Sequence, residues 1–149
     1  MADTIRQRIV DAIDTRFKAI LTSGGYQTNI GNKVFWWKDT PLQISDLPGM
    51  NCKDNSPDKS LGCGVEDVIL PISIEAATSG STTAVDLRKI VADLEKAIGV
   101  DETWGGLAQA TDLKEEGIFI QQNENKVGLV NLTMVIEYTL VRFDAYTLA

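Results

Sequence analysis

The side chains that most often do chemistry in proteins are scarce in this sequence. The chain contains no histidine, and Cys52 and Cys63 are its only cysteines. A Ser-His or Cys-His nucleophile needs an imidazole as its base, and a zinc site needs more than two cysteine ligands. We therefore expect two free thiols. The glycines on either side of Cys63 do not by themselves make it a reactive group.

Carboxylates are plentiful, but their spacing matches no catalytic or metal-binding pattern. The adjacent pairs Glu66-Asp67 and Glu115-Glu116 are typical of solvated loops. The segment from Asp54 to Asp58 lacks the alternating ligands and the glycine of a calcium loop. We expect no catalytic residue, no cofactor and no metal, and we predict that the protein is not an enzyme. A small cytosolic enzyme or ligand-binding module is the alternative from another class.

The charge of the chain argues against a nucleic-acid-binding protein. Fourteen basic and 21 acidic side chains give a formal net charge of -7. Binding to DNA needs a basic stripe that releases counterions from phosphates, and the sequence has none. The acidic excess serves either solubility alone or the avoidance of nucleic acid. No apolar run predicts a transmembrane helix, and the first residues lack a signal-peptide pattern, so we expect a cytosolic chain.

Two amphipathic helices are predicted as part of the scaffold that positions the cysteines and carboxylates. Apolar residues recur at three- and four-residue steps from Ile5 to Leu21, after a cap at Asp3 or Thr4. Glycines at 24 and 25 end this helix. A second apolar stripe follows Thr83, which with Asp86 three residues later resembles a capping box, and Gly99 is predicted to close that helix.

Alternating and aromatic segments predict the strands. The strand from Val34 to Lys38 places Phe35 and Trp37 on one face and Trp36 on the other. A second strand covers 68–76, where Pro71 indicates an edge or a bulge. A hairpin joins 118–122, through the turn 123–126, to a long strand at 127–141.

The order of these elements predicts the fold class. Helix, strands, helix and strands give an α+β fold, a mainly antiparallel sheet of about four to five strands with two helices packed on one face. We expect a single domain spanning 1–149. The segment 39–67 is rich in proline and polar residues and predicts a long loop or arm, with one strand near Met50 to Asp54. Because this arm has little core of its own, we expect neighbouring subunits to order it.

Two stretches resemble a known protein family. The first runs from Gly25 through Tyr26, Gln27, Thr28, Asn29, Ile30, Gly31, Asn32, Lys33, Val34, Phe35, Trp36 and Trp37, and continues in Asp39-Thr40-Pro41-Leu42 and Asp46-Leu47-Pro48. The second is Ala97-Ile98-Gly99 followed by Thr103-Trp104-Gly105-Gly106-Leu107-Ala108 and a late pair of strands. With these motifs the chain resembles the tail terminator proteins of long-tailed bacteriophages, also called minor tail protein U or tail completion proteins. The match spans most of the chain.

The resemblance implies a structural virion protein. Members of this family form a ring, usually of six subunits, that caps the tail tube, stops its polymerisation and offers the surface to which the filled head docks. The implied partners are further copies of the chain, the tail tube protein and head-tail connector proteins, with no membrane. The implied location is the head-proximal end of the virion tail, after assembly in the host cytoplasm. Another head-tail connector or head-completion protein is the alternative.

Tryptophans and loop acids are the candidate functional residues in such a ring. Large aromatic side chains anchor protein interfaces, so Trp36, Trp37 and Trp104 are predicted to contact a neighbouring protomer or the tail tube. Genomic DNA would pass through the lumen without specific binding. The acidic balance predicts a neutral to negative lumen, unless the excess charges lie on the outer wall and serve solubility. The candidate lumen acids are Asp54, Asp58, Glu115 and Glu116.

Overall fold

A computed structural model describes residues 2–121 and 126–149. Within these ranges the chain forms two α-helices, six strands of one sheet and three short 3₁₀ turns. Residue 122 of the strand expected at 118–122 and residues 123–125 of the turn expected at 123–126 lie outside the described residues. The helices are α1 (Ile5–Lys18) and α2 (Thr83–Val100), and the strands are β1 (Val34–Trp36), β2 (Gly49–Asp54), β3 (Asp58–Leu61), β4 (Val65–Ser79), β5 (Ala110–Gln121) and β6 (Val127–Val141).

Helix α1 forms where the apolar stripe predicts it. Thr4 is the N-cap, and its hydroxyl accepts a hydrogen bond from the Gln7 amide at 3.1 Å. The stripe is buried, with Ile5, Ile9, Ile13 and Phe17 in the core. The helix ends at Lys18, earlier than predicted, because the amide of Ile20 turns back to the carbonyl of Phe17.

Helix α2 has its predicted buried stripe but a different start. Its N-cap is Thr82, and the Thr83 hydroxyl donates instead to the carbonyl of Gly80 at 2.6 Å. The capping box predicted at Thr83 is therefore wrong, because the N-cap lies one residue earlier and its side chain caps no backbone amide. The helix also continues through Gly99 to Val100, so Gly99 does not close it.

The sheet has the order β1-β2-β4-β6-β5, with β3 pairing β4 on the same side as β2. The β1–β2 pair is parallel and every other pair is antiparallel. Strands β4 and β6 pair over their full lengths, from Val65 opposite Val141 to Ser79 opposite Val127. Most of their even-numbered residues pack under both helices in one hydrophobic core. The predicted α+β class is confirmed, with a somewhat larger sheet than expected.

The additional strand, β3, comes from the segment 39–67. The strand predicted near Met50 to Asp54 is present as β2, and Met50 and Cys52 are completely buried. The expectation of a long arm with little core of its own is therefore wrong for this part. The prolines fall between the strands, and β3 is fully exposed, so its polar sequence carries no apolar signal.

Strand β5 is also longer than predicted. The sequence indicated a strand only from Ile118, whereas β5 begins at Ala110. Its first half pairs with β6 at the edge of the sheet, where polar residues are tolerated on both faces. A bulge between Glu115 and Gly117 interrupts the register and hides the alternation.

Pro71 lies in the central strand β4, so of the two positions expected for it, an edge or a bulge, the edge is wrong. Its carbonyl accepts from the Asn55 amide at 2.9 Å, on the side of β4 where β2 ends and β3 has not yet begun. In an antiparallel strand the nitrogen and carbonyl of one residue point to the same side. The missing N–H of Pro71 therefore faces this gap and not the ladder with β6.

Candidate functional site

Trp36 faces the core of its own chain. Its side chain is partly buried and packs against the hydrophobic core, and its Nε1 donates to the Asp14 carboxylate of α1 at 3.1 Å. Trp36 is thus partly used inside its own subunit, and its role as an interface anchor stays a prediction. Side-chain alternation places Trp36 beside Val34, on the face that α1 covers.

Of the three predicted interface tryptophans, Trp37 is the one whose side chain is exposed and available for contact with another protein. It is 54% exposed and has a φ of 55°, so the strand ends before it and the expected alternation with Phe35 does not continue. Its Nε1 donates to Asp54 at 2.7 Å, and the Lys53 ammonium lies 5.9 Å from the ring centroid. The indole ring is thus held at the surface by polar contacts.

Trp104 is only 2% exposed, so the structure corrects its assignment to an interface. Its ring meets Phe17 edge to face with a centroid separation of 6.3 Å, and the Arg16 guanidinium lies 4.1 Å from its centroid. Its Nε1 donates to the Thr111 hydroxyl at 2.8 Å. Trp104 therefore joins α1, the turn after α2 and β5.

The turn that carries Trp104 is organised by Asp101, which sequence reasoning did not single out. The carboxylate accepts from the Thr103 amide at 2.9 Å, the Thr103 hydroxyl at 2.5 Å and the Gly105 amide at 2.8 Å. These bonds, with the Thr103 hydroxyl first, lower the pKa of Asp101 to about 2. The available signal was an aspartate two residues before a threonine, which is typical of a local side-chain turn.

Asp93 is a second carboxylate that the sequence reading missed. It lies on α2, is 3% exposed, and accepts from the Gln27 amide at 3.1 Å and from the Thr28 amide and hydroxyl at 2.8 and 2.6 Å. These bonds compensate for its burial. Asp93 therefore fixes the first of the two family-like stretches to α2.

The predicted lumen acids do not form a group of free loop carboxylates. Asp54 is bound to Arg6 of α1, with 2.7 Å between its Oδ2 and the arginine nitrogen. Asp58 begins β3 and is exposed. Glu115 and Glu116 lie in β5 and not in a loop. Glu66, also expected in a solvated loop, is 7% exposed in β4, with the Lys59 ammonium at 3.8 Å.

The face of the sheet turned away from the helices is open. This open sheet face consists of the odd-numbered residues of β4 and β6 together with the residues paired to them on β2, β3 and β5. In one row, Asn51, Glu75 and Asn131 lie side by side on three neighbouring strands. These side chains are less buried than the core-facing residues that alternate with them along each strand. Apolar groups flank the polar rows, with Ile69 43% and Phe119 59% exposed.

A shallow depression of about 360 Å³ lies in the open sheet face. Its lining is mostly polar, and Glu116 reaches it because the bulge in β5 redirects that side chain. The lining residues are Asn51, Lys53, Ser73, Ile74, Glu75, Glu116, Asn131, Leu132 and Thr133. Among the described residues, no cluster of three or more Cys, Asp or Glu side chains could hold a metal ion.

The two thiols differ in their surroundings. Cys63 is exposed, whereas Cys52 is buried, and burial together with the Asp14 charge raises the pKa of Cys52 well above its usual value. Both are free thiols. Neither helix, within the part of the chain that the structure describes, is long and apolar enough to cross a bilayer.

Comparison of the chain with protein-family models and with curated protein sequences finds no match. The likeness to tail terminators therefore depends on the residues of the two stretches given above. It stays a prediction, to be weighed with the geometry of the open sheet face.

Proposed function

We propose that this chain is a ring-forming structural subunit of a bacteriophage tail. In this role it is a tail terminator, which caps the tail tube, stops its polymerisation and provides the surface to which the head docks. The proposal combines the family resemblance with the surface that the fold exposes.

The open sheet face is the observation that carries the proposal. It extends along the full length of two 15-residue strands, and it mixes half-exposed apolar, charged and amide side chains. Protein interfaces have this mixed composition, whereas the solvent face of an antiparallel sheet usually alternates cleanly to polar residues. A broad face of this kind is suited to another protein surface.

The carboxylates give further support for assembly rather than catalysis. An acid-base site would hold a carboxylate whose pKa is raised by burial or by a like charge. In the described ranges the resolved carboxylate shifts are downward, at Asp101 and at Asp144, and hydrogen bonds within local turns cause both. These carboxylates stabilise the turns in which they lie.

The two family-like stretches are also connected by the fold. Asp93 binds the amides of Gln27 and Thr28, and the Lys96 ammonium donates to the Gly25 carbonyl at 2.8 Å. The second stretch begins one residue after Lys96, on the same helix. The motifs that carry the resemblance therefore share a structural role around α2.

The decisive experiment measures the mass of the purified protein alone and with tail tubes of a long-tailed phage. We expect a ring-sized oligomer, visible as rings by electron microscopy, that binds one end of the tube and prevents further addition of tube protein. Tubes that continue to grow in the presence of the protein would exclude a terminator. Binding to heads or head-tail connectors without an effect on tube growth would instead support the second candidate, another connector protein.

A further inference from the structure

The open sheet face carries an excess of negative charge. The register of the strands places six carboxylates and two lysines on it, namely Asp58, Asp67, Glu75, Asp112, Glu116 and Glu137, with Lys53 and Lys114. The side-chain carboxylates of Glu75 and Glu137 take part in none of the side-chain hydrogen bonds or ion pairs found among the described residues. Their charges are therefore available to a partner.

The opposite side of the molecule has the opposite sign. The outer surface of α1 and α2, here the helical layer, carries seven exposed or half-exposed basic side chains and four acidic ones. The basic residues are Arg6, Arg8, Arg16, Lys18, Arg88, Lys89 and Lys96, and the acidic ones are Asp11, Asp14, Asp86 and Glu95. The acidic excess of the whole chain is thus located away from the helices.

This polarity distinguishes the two ways in which identical chains can associate. In an isologous dimer each face meets its own copy, so acidic face would meet acidic face and the contact would repel. In a heterologous contact the open sheet face of one copy meets the helical layer of the next, and the charges are complementary. Heterologous contacts are the class that closes into rings.

We propose that the open sheet face of each subunit packs on the helical layer of a second copy of this chain. The contact covers the exposed Ile69 and Phe119 side chains, and the depression beside Glu75 and Glu116 receives a basic side chain of the neighbouring helices. This inference rests on the ring of the proposed function and names the two surfaces that close it.

Charge-reversed variants test the pairing directly. The sheet variant carries Glu75→Lys and Glu137→Lys, and the helix variant carries Arg88→Glu and Lys89→Glu. All four positions are exposed or half-exposed, so thermal unfolding of each variant should match that of the original chain. A control with Asp39→Lys and Glu102→Lys has the same net charge as the sheet variant but changes exposed loop acids off both surfaces.

We expect each variant alone to associate at least about tenfold more weakly by analytical ultracentrifugation, because like charges then face each other. An equimolar mixture of the two variants should recover the association, since acidic helices then meet a basic sheet face. The loop control should associate like the original chain. Unchanged association of either single variant, or a mixture that recovers nothing, overturns the pairing.

The same samples separate this inference from the proposed function. Variants that still form rings and cap tail tubes would refute the pairing and leave the terminator role standing. Rescue by mixing, in a protein that neither binds nor caps tubes, would support the pairing and refute the terminator role. An original chain that stays monomeric at about millimolar concentration refutes both.

Discussion

At the scale of single residues, three aromatic side chains occupy an unusual backbone conformation. Trp37, Trp104 and Phe143 have φ values of 55°, 54° and 61°. Bulky residues in this region cost about 1–3 kcal/mol each and persist where the surroundings hold them. Trp104 is held by its buried contacts, and Trp37 by its bond to Asp54. Phe143 is 84% exposed, with the Arg142 guanidinium 4.7 Å from its centroid.

Adjacent tryptophans provide a matched pair of substitutions. Trp36→Ala should lower the free energy of unfolding by about 2 kcal/mol, less than the loss for a fully buried tryptophan, because Trp36 packs on the core and binds Asp14. Trp37→Ala should change it by less than about 1 kcal/mol and weaken ring assembly instead. Urea unfolding and sedimentation measure the two effects. If Trp36→Ala assembles poorly while keeping full stability, Trp36 is an interface residue after all.

The Asp101 turn predicts a defined acid sensitivity. Its pKa of about 2 lies below the ordinary value of 3.8, so the charged form stabilises the fold. That contribution is complete above about pH 4 and is lost as the pH falls towards 2. Asp144, whose pKa is also lowered, adds to the same window. Asp101→Asn should therefore flatten the fall in stability between pH 4 and 2, as urea unfolding at several pH values would reveal. An unchanged slope would contradict this role.

At the scale of elements, the strongly periodic segments could be predicted and the edge segments could not. Helix α1 and strand β6 each bury one face, so their apolar spacing reports their structure directly. Strand β3 is exposed throughout, and the first half of β5 is polar and precedes a bulge. In these strands the main-chain pairing with β4 and β6 determines the structure, and a pattern of side chains carries little of that information.

The same reasoning accounts for the site residues. Exposure of a tryptophan depends on which element covers it, and the sequence does not state that α1 lies over Trp36. The turn at Asp101 is local, so its signal was present in the sequence. The contact between Asp93 and Thr28 joins positions far apart in the chain, and only the fold brings them together.

Strand β2 predicts a measurable difference within the segment 39–67. Because β2 pairs with β4 and buries Met50 and Cys52, its amides should exchange slowly with solvent in the isolated protein, as those of β4 do. Amides in 39–43 should exchange much faster, since few of them are hydrogen-bonded. Hydrogen exchange followed by mass spectrometry tests this. Equally fast exchange across 39–61 would restore the idea of an arm that only neighbouring subunits order.

At the scale of the whole molecule, the two layers differ in charge, and this bears on the lumen of the proposed ring. Asp54 is paired with Arg6, and Asp58 and Glu116 lie on the open sheet face. Of the four acids first considered, Glu115, exposed on the edge strand β5, is then the one left for the lumen. We predict a net negative lumen lining in an electron cryomicroscopy structure of the ring, which lets DNA pass. A lining of lysine and arginine side chains would contradict this.

The pairing of β4 with β6 has a consequence for how the chain reaches its native state. Every rung of this ladder joins residues about fifty or more positions apart, and α2 and β5 lie between them in the sequence. The entropy of closing such a loop must be lost before the first rung forms, so this central ladder cannot nucleate locally. The helices can form early, and so can the local pairs β3–β4 and β5–β6, but the complete sheet that both helices cover exists only after β4 meets β6. We therefore expect the long-range closure of this ladder to set the pace of folding, and until it occurs the apolar faces of both strands remain open to contact with other newly made chains.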